Sequence, residues 1–216
     1  GMIDLGTLGG HGSQAHAVNN AGQVVGGADL SNTPYTPIHA FLITPEGGVW
    51  NRDDDGDGAN DLMVDLGTLP THDHSQAQDV NAAGNAVGWS YDSAFEHTRG
   101  FLYSDGVMED LGTLGGERSH ADALNDADQI VGKAETAAGE WRACLWDGGA
   151  AQDLNELIPP GSGWDIISAY DINNAGWIAG AGIAPNGEMH AILLVPEPAT
   201  LALLALSGLL MVRRRR

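Results

Sequence analysis

The sequence predicts an all-β fold, a propeller-like array of about four blades with four short strands each. Three observations predict it. Asp-Leu-Gly-Thr-Leu recurs at 4–8, 65–69 and 110–114, with a diverged copy at Asp153-Leu154-Asn155-Glu156-Leu157. Asn anchors at 19, 81, 125 and 173 follow these copies, and the shortest interval between anchors is 44 residues. Four strands at a period of roughly 40–45 residues are the signature of a propeller blade.

Each unit resolves into the same four segments. An Ala-x-x-Val/Ile/Leu-Asn run alternates apolar and polar residues, as a half-buried strand does. Asn-Ala-Gly, as at Asn20-Ala21-Gly22, supplies a hairpin turn, because Asn and Gly tolerate positive φ. The second strand reads Val25-Gly26, Val87-Gly88, Val131-Gly132 and Ala179-Gly180 at its centre. The third and most apolar strand reads His39-Ala40-Phe41-Leu42, Arg99-Gly100-Phe101-Leu102, Arg142-Ala143-Cys144-Leu145 and His190-Ala191-Ile192-Leu193. Gly-rich turns lead from it into the fourth strand, which ends in Asp-Leu. The last unit has no Asp-Leu-Gly copy of its own, whereas Ile3-Asp4-Leu5-Gly6-Thr7-Leu8 is spare at the other end. Two readings stand at this point. The N-terminal strand completes the last blade and closes a four-bladed ring, or further blades precede this chain. The repeat domain is placed at 1–195 and a separate tail at 196–216.

Composition narrows the partners. The 216 residues carry 29 acids and 9 bases, a net charge of −20, and 31 Gly. Four of the bases are Arg213–Arg216, so the body is more acidic still. Such a surface repels phosphate, which argues against nucleic acid and anionic lipid headgroups and in favour of cations. One Cys, Cys144, excludes an intrachain disulfide and a Cys-rich zinc site. Replacing Phe or Ile of other units, it reads as a buried, inert thiol. The six Trp, at 50, 89, 141, 146, 164 and 177, are expected mostly to fill the core, with stacking on sugar faces as the other use.

The units resemble the HAF-repeat proteins, described as probable extracellular repeat proteins. The resemblance spans residues 3–194 and rests on His-Ala-Phe-Leu, Asp-Leu-Gly-Thr-Leu-Gly-Gly and Asn-x-x-Gly-Gln-Val-Val-Gly. It implies an exported, β-rich protein and no established reaction. Cys144, Asp128 and Asn155-Glu156 depart from the pattern.

The C-terminus has three parts. Pro196-Glu197-Pro198 precedes an uncharged run from Ala199 to Val212, and Arg213, Arg214, Arg215 and Arg216 end the chain. Fourteen helical residues would cover about 21 Å, short of a hydrocarbon core of about 30 Å, although Arg side chains snorkel. The basic end is expected in the cytoplasm and the body outside. This order resembles the PEP-CTERM sorting signal. The resemblance implies a short hydrophobic helix that anchors the chain transiently in the inner membrane of a Gram-negative bacterium. It also implies an exosortase-type enzyme processing the chain near Pro-Glu-Pro. Gly1-Met2-Ile3-Asp4 has neither a basic nor an apolar leader region, so this reading expects a truncated chain or a misplaced start.

The strongest local motif is Asp53-Asp54-Asp55-Gly56-Asp57-Gly58-Ala59-Asn60-Asp61, an insertion at 51–64 between a third and a fourth strand. Asp53, Asp55, Asp57 and Asp61 fall at positions 1, 3, 5 and 9 of an EF-hand-type loop, and the Ala59 carbonyl falls at position 7. Hard oxygens at this spacing suit a structural Ca2+. Position 12 is Val64, with Asp65 one residue later as the substitute ligand, so a weak site of about 10⁻⁴–10⁻³ M is expected. A solvated acidic loop is the plainer alternative. His72-Asp73-His74 reads as a solvated turn rather than a metal pair. His39 and His190 read as strand-start residues bonding to neighbouring blades. No nucleophile elbow is present, and Ser162 lies in a Pro-Gly loop. The expected function is a non-catalytic binding or structural role at the cell surface or in an exopolysaccharide matrix. The alternative is a glycan hydrolase or lyase on the same scaffold.

Overall fold

In the computed structural model, which describes residues 1–34 and 36–196, each repeat forms strands where its alternation places them. The first sheet holds β1 (Ser13–Val18), β2 (Val24–Asp29), β3 (Ile38–Ile43) and β4 (Met63–Gly67). The second holds β5 (His74–Val80), β6 (Ala86–Tyr91), β7 (Thr98–Ser104) and β8 (Val107–Asp110). The third holds β9 (Gly115–Leu124), β10 (Ile130–Thr136), β11 (Trp141–Trp146) and β12 (Gln152–Asp153). The fourth has three strands, β13 (Asp165–Ile172), β14 (Ile178–Ile183) and β15 (Met189–Leu194). All four are antiparallel meanders in sequence order.

The sheets pack in succession through their first strands. β5 lies against the first sheet, β9 against the second and β13 against the third. The core therefore lies between sheets. Leu66 and Leu69, at the exit of β4, join Ala77, Val80 and Phe101 of the second sheet. Leu154, at the exit of β12, joins Ile166, Ala169 and Ile172 of the fourth.

A shared irregularity sets the shape of every unit. The first strand of each sheet is bulged at the same place, at His16, Gln78, Asp122 and Tyr170. A bulge adds one residue, bends the strand and reverses the facing of the residues after it. Ser75 and Ala77 face the core before the bulge, and Val80 faces it after. The bulge also drives a carbonyl toward the second strand. A Cβ at Gly26, Gly88, Gly132 or Gly180 would lie 1.8, 1.9, 2.0 or 2.2 Å from that oxygen. The Gly of each Val/Ala-Gly pair is thus required by its neighbour.

The Asn anchors are not where the chain turns left-handed. Positive φ falls instead on Gly22, Gly84, Asp128 and Gly176, three residues later. The Asn works through its side chain. Asn81 Oδ1 accepts from the N–H groups of Ala83 and Asn85, and the same pattern holds at Asn19, Asn125 and Asn173. Its amide then reaches the next unit. Asn19 Nδ2 donates to the Asn81 main-chain oxygen at 2.8 Å, Asn81 to Asn125 at 3.2 Å and Asn125 to Asn173 at 3.2 Å. A ladder of side-chain amides therefore links the four sheets.

The expected closure by the N-terminal strand does not occur. Residues 1–12 form no strand and dock on the first sheet and its insertion, not on the fourth. Asn60 is the reason. Nearly buried, its amide donates to the Leu5 and Trp50 oxygens and accepts from the N–H groups of Arg52 and Leu62. Its own N–H donates to Thr7. Among the described residues no comparable packing joins the fourth sheet to the first, so the array is open rather than a closed propeller.

The diverged fourth copy is also accounted for. Leu154–Glu156 form one 3-10 turn, capped by Asp153. Asn155, standing where other units have Gly, bonds both the N–H and the oxygen of Ile166 and so clamps the third sheet to the fourth. Of the six Trp, only Trp146 is fully buried, and Trp164 and Trp177 are exposed. The expectation that most Trp fill the core is corrected: the buried clusters are built mainly from Ala, Val, Leu, Ile and Phe.

Candidate functional site

The acidic insertion folds into a run of Asx turns at the surface. Asp53 accepts from the N–H groups of Gly56 and Gly58, Asp55 from Asp57, Asp57 from Ala59 and Asp61 from Asp54. Carboxylate oxygens of Asp53, Asp55 and Asp61 lie within 4.8 Å of one another, all on exposed residues. Asp57 is not part of that group. Asp65, the substitute ligand, is engaged elsewhere. It belongs to β4, where His39 Nδ1 lies 2.9 Å from its carboxylate and the Gly67 N–H bonds it. Those contacts hold the Asp65 carboxyl below its ordinary range despite the burial that opposes them. Three of the expected oxygen donors therefore converge, and the strand pairing takes Asp65 away.

The other singled-out residues are dispersed. His74 Nδ1 accepts from the Ile38 N–H, and its ring stacks on Tyr91 at 4.9 Å, apart from any partnership with His72. His39 bonds within its own sheet rather than to a neighbouring blade, and His190 faces Glu188 of its own sheet region at 3.7 Å. At the same repeat position Arg99 pairs with Asp110 of β8, and Arg142 alone reaches the carboxylate of the next sheet, Asp165. Cys144 is fully buried in the third sheet, and burial pushes its thiol up to about 12.

Two features escaped the sequence. Trp89, His120 and Trp141 form an aromatic strip across the second and third sheets, with centroids 4.8 and 5.4 Å apart. Lys133 Nζ lies 5.0 Å from the Trp141 centroid, and Arg118 lies 5.4 Å from it. Burial first, then these two cations, push the His120 imidazole down to about 4. The second feature lies on the bulges of the packed first strands. Burial raises the Asp122 carboxyl to about 6, against the opposing pull of Lys133. Burial also raises Asp79, with the Asp171 charge adding to it. Apart from Arg118 and His120, which share β9, these neighbours come from different strands, and in the Trp89–His120 and Asp79–Asp171 pairs from different sheets, so spacing along the chain could not reveal them.

β15 ends at Leu194, and the Pro-Glu-Pro run begins two residues later. Any cleavage after Pro196 would therefore leave every described strand in place.

Residues 194–216 match the PEP-CTERM protein-sorting motif.

The motif marks the chain for export and membrane-anchored sorting, with processing by an exosortase-type enzyme. No curated protein and no solved structure matches the chain. Among the described residues no helix is long and apolar enough to cross a membrane. The expected hydrophobic helix at 199–212, Glu197, Pro198 and the basic end lie outside the described residues.

Proposed function

We propose that this is a non-catalytic repeat protein of the bacterial cell surface or exopolysaccharide matrix, related to the HAF-repeat proteins and released from a transient membrane anchor. The match of residues 194–216 to the sorting motif carries the reading, and it begins at the end of the last described strand of an all-β body. The net charge of −20 disfavours anionic lipid and nucleic-acid partners for that body. Neutral polysaccharide fits it better, and exposed Trp164 and Trp177 offer ring faces for stacking on sugars. The decisive measurement is the intact mass of the protein from membrane and extracellular fractions of its host. A shortened mass ending near Pro198, found outside the cell, is the expected result. With Glu197→Ala, the full mass should remain in the membrane fraction. A native protein that keeps Arg216 in the membrane would overturn the reading.

A weak structural Ca2+ site at Asp53, Asp55 and Asp61 belongs to the same proposal. Three hard, exposed carboxylates suit a cation bound at extracellular concentrations. Calorimetry on the full chain should give a dissociation constant on the order of 10⁻⁴–10⁻³ M. Asp53→Asn with Asp55→Asn should abolish the heat. No binding at 10 mM CaCl2, roughly ten times the weakest constant expected, would rule the site out.

A further inference from the structure

The two ends of the array are complementary. At one end, the first sheet lacks the covering its counterparts have. Val18 is 67% exposed, whereas Val80, Leu124 and Ile172 at the same repeat position are 6%, 5% and 6% exposed. Ser13 and Ala15 are exposed where Ser75, Ala77, Ser119 and Ala121 are buried. At the other end, no fourth strand lies beside β15 among the described residues. An apolar groove runs along its residues 191–194, walled by Ile158, Pro159, Trp164 and Ile166.

The segment before β1 already has the shape of the missing strand's exit. Asp4 Oδ1 accepts from Gly6 N–H at 3.0 Å, as Asp65 does from Gly67 and Asp110 from Gly112. Gly6, Gly67 and Gly112 share φ values of 70°, 74° and 77°. Ser13 donates to the Gly6 oxygen as Ser75 does to Gly67. In the two internal junctions a third-strand N–H also donates to that Ser, Ala40 to Ser75 and Gly100 to Ser119. Ser13 receives no such bond among the described residues, and Ala191 is the β15 residue at the matching position. The Asn ladder is open in the same sense. Among the described residues the Asn173 amide donates to nothing, and no side-chain amide reaches the Asn19 oxygen.

We propose that residues 2–8 of a second copy of this chain add to β15 as the fourth strand of the last sheet, joining copies head to tail. The internal pairs Phe41 with Asp65, Phe101 with Asp110 and Cys144 with Asp153 set the register. Asp4 then pairs with Ile192, and Ile3 with Leu193. His190 meets the Asp4 carboxylate as His39 meets Asp65 and Arg99 meets Asp110. Asn173 continues the ladder onto Asn19. Different patches meet across such a contact, so it either closes a ring of copies or propagates.

Ile3 and Leu193, 56% and 57% exposed, give the test. Directly opposed antiparallel residues have Cα atoms about 4.5–5.5 Å apart, within disulfide range. Full-length Ile3→Cys and Leu193→Cys chains, mixed in mild detergent and oxidised, should form a covalent one-to-one pair, while neither should cross-link alone. Cys144 is buried and stays out of the reaction. Asp4→Lys added to the first chain should lower the yield at least tenfold, and His190→Asp in the second should restore it, which association through the hydrophobic tail would not do. Two results would overturn the proposal. One is a monomer without cross-links, as expected if the tail covers the groove. The other is an intrachain disulfide in the Ile3→Cys, Leu193→Cys double variant, meaning the chain closes on itself.

Discussion

Gly88→Ala is expected to destabilise the protein by about 3 kcal/mol or more, because one methyl group must displace backbone. The Cβ would lie 1.9 Å from the Gln76 oxygen and 2.8 Å from the Ala77 Cα. Neither atom is the end of a flexible side chain. Both belong to the bulged part of β5, the strand of the second sheet that packs against the first. Relief would require removing the bulge, and that would turn Val80 away from the core it shares with Phe101. For a chain of this size the loss corresponds to a fall of roughly 6–12 °C in melting temperature. Gly149→Ala is the control. A Cβ there meets nothing within 4 Å and φ is not positive, so its effect should stay within about 0.5 kcal/mol. A melting temperature for Gly88→Ala within about 2 °C of the parent would refute the bulge argument.

Asn81→Ala should cost about 2–4 kcal/mol, since it removes a buried amide that serves two sheets at once. The Asn81 oxygen holds its own turn together, and its amide donates to the Asn125 oxygen and to the Asp128 carboxylate at 2.8 Å. Asn81→Asp should be worse than Asn81→Ala. The acid keeps the turn acceptor but sets a second carboxylate against Asp128 and a carbonyl. Asn19→Ala should cost about half as much, because Asn19 is only half-buried at the open end of the array. Urea denaturation of the three variants reads the order directly. Equal losses at positions 19 and 81 would mean that the amides act only as turn formers and the inter-sheet ladder contributes nothing.

The four-sheet plan is readable because the chain repeats itself. The recurrence of Ala-x-x-Val/Ile/Leu-Asn and a turn signal after each Asn suffice to place strands, although the three-residue step from Ala77 to Val80 departs from strict alternation and marks the bulge at Gln78. The special residues stand out in the sequence, but not for the reason they matter. The turn reading credits Asn and Gly alike with positive φ; only the Gly takes it, as at Gly22 and Gly84, while the anchor Asn81 serves the next unit 44 residues on. Gly88 is visible as a recurring letter, but its purpose depends on a carbonyl in another strand. The Asp53–Asp61 loop is legible as a cluster, while the loss of Asp65 to His39 is not, because strand pairing decides it.

By itself the sequence determined what depends on near neighbours in the chain. These are the strand segments, their period, the acidic insertion and the order of Pro-Glu-Pro, apolar run and Arg at the end. Only the tertiary structure decided whether the array closes. The spare Asp4–Leu8 segment and the bare β15 edge have matching patterns, which invites joining them. The side chain of Asn60 satisfies the Leu5 oxygen and its main chain the Thr7 oxygen, holding the segment on the first sheet, a full array away from β15. A buried amide with all its bonds made outweighs a strand pairing that the geometry of four stacked sheets does not bring within reach.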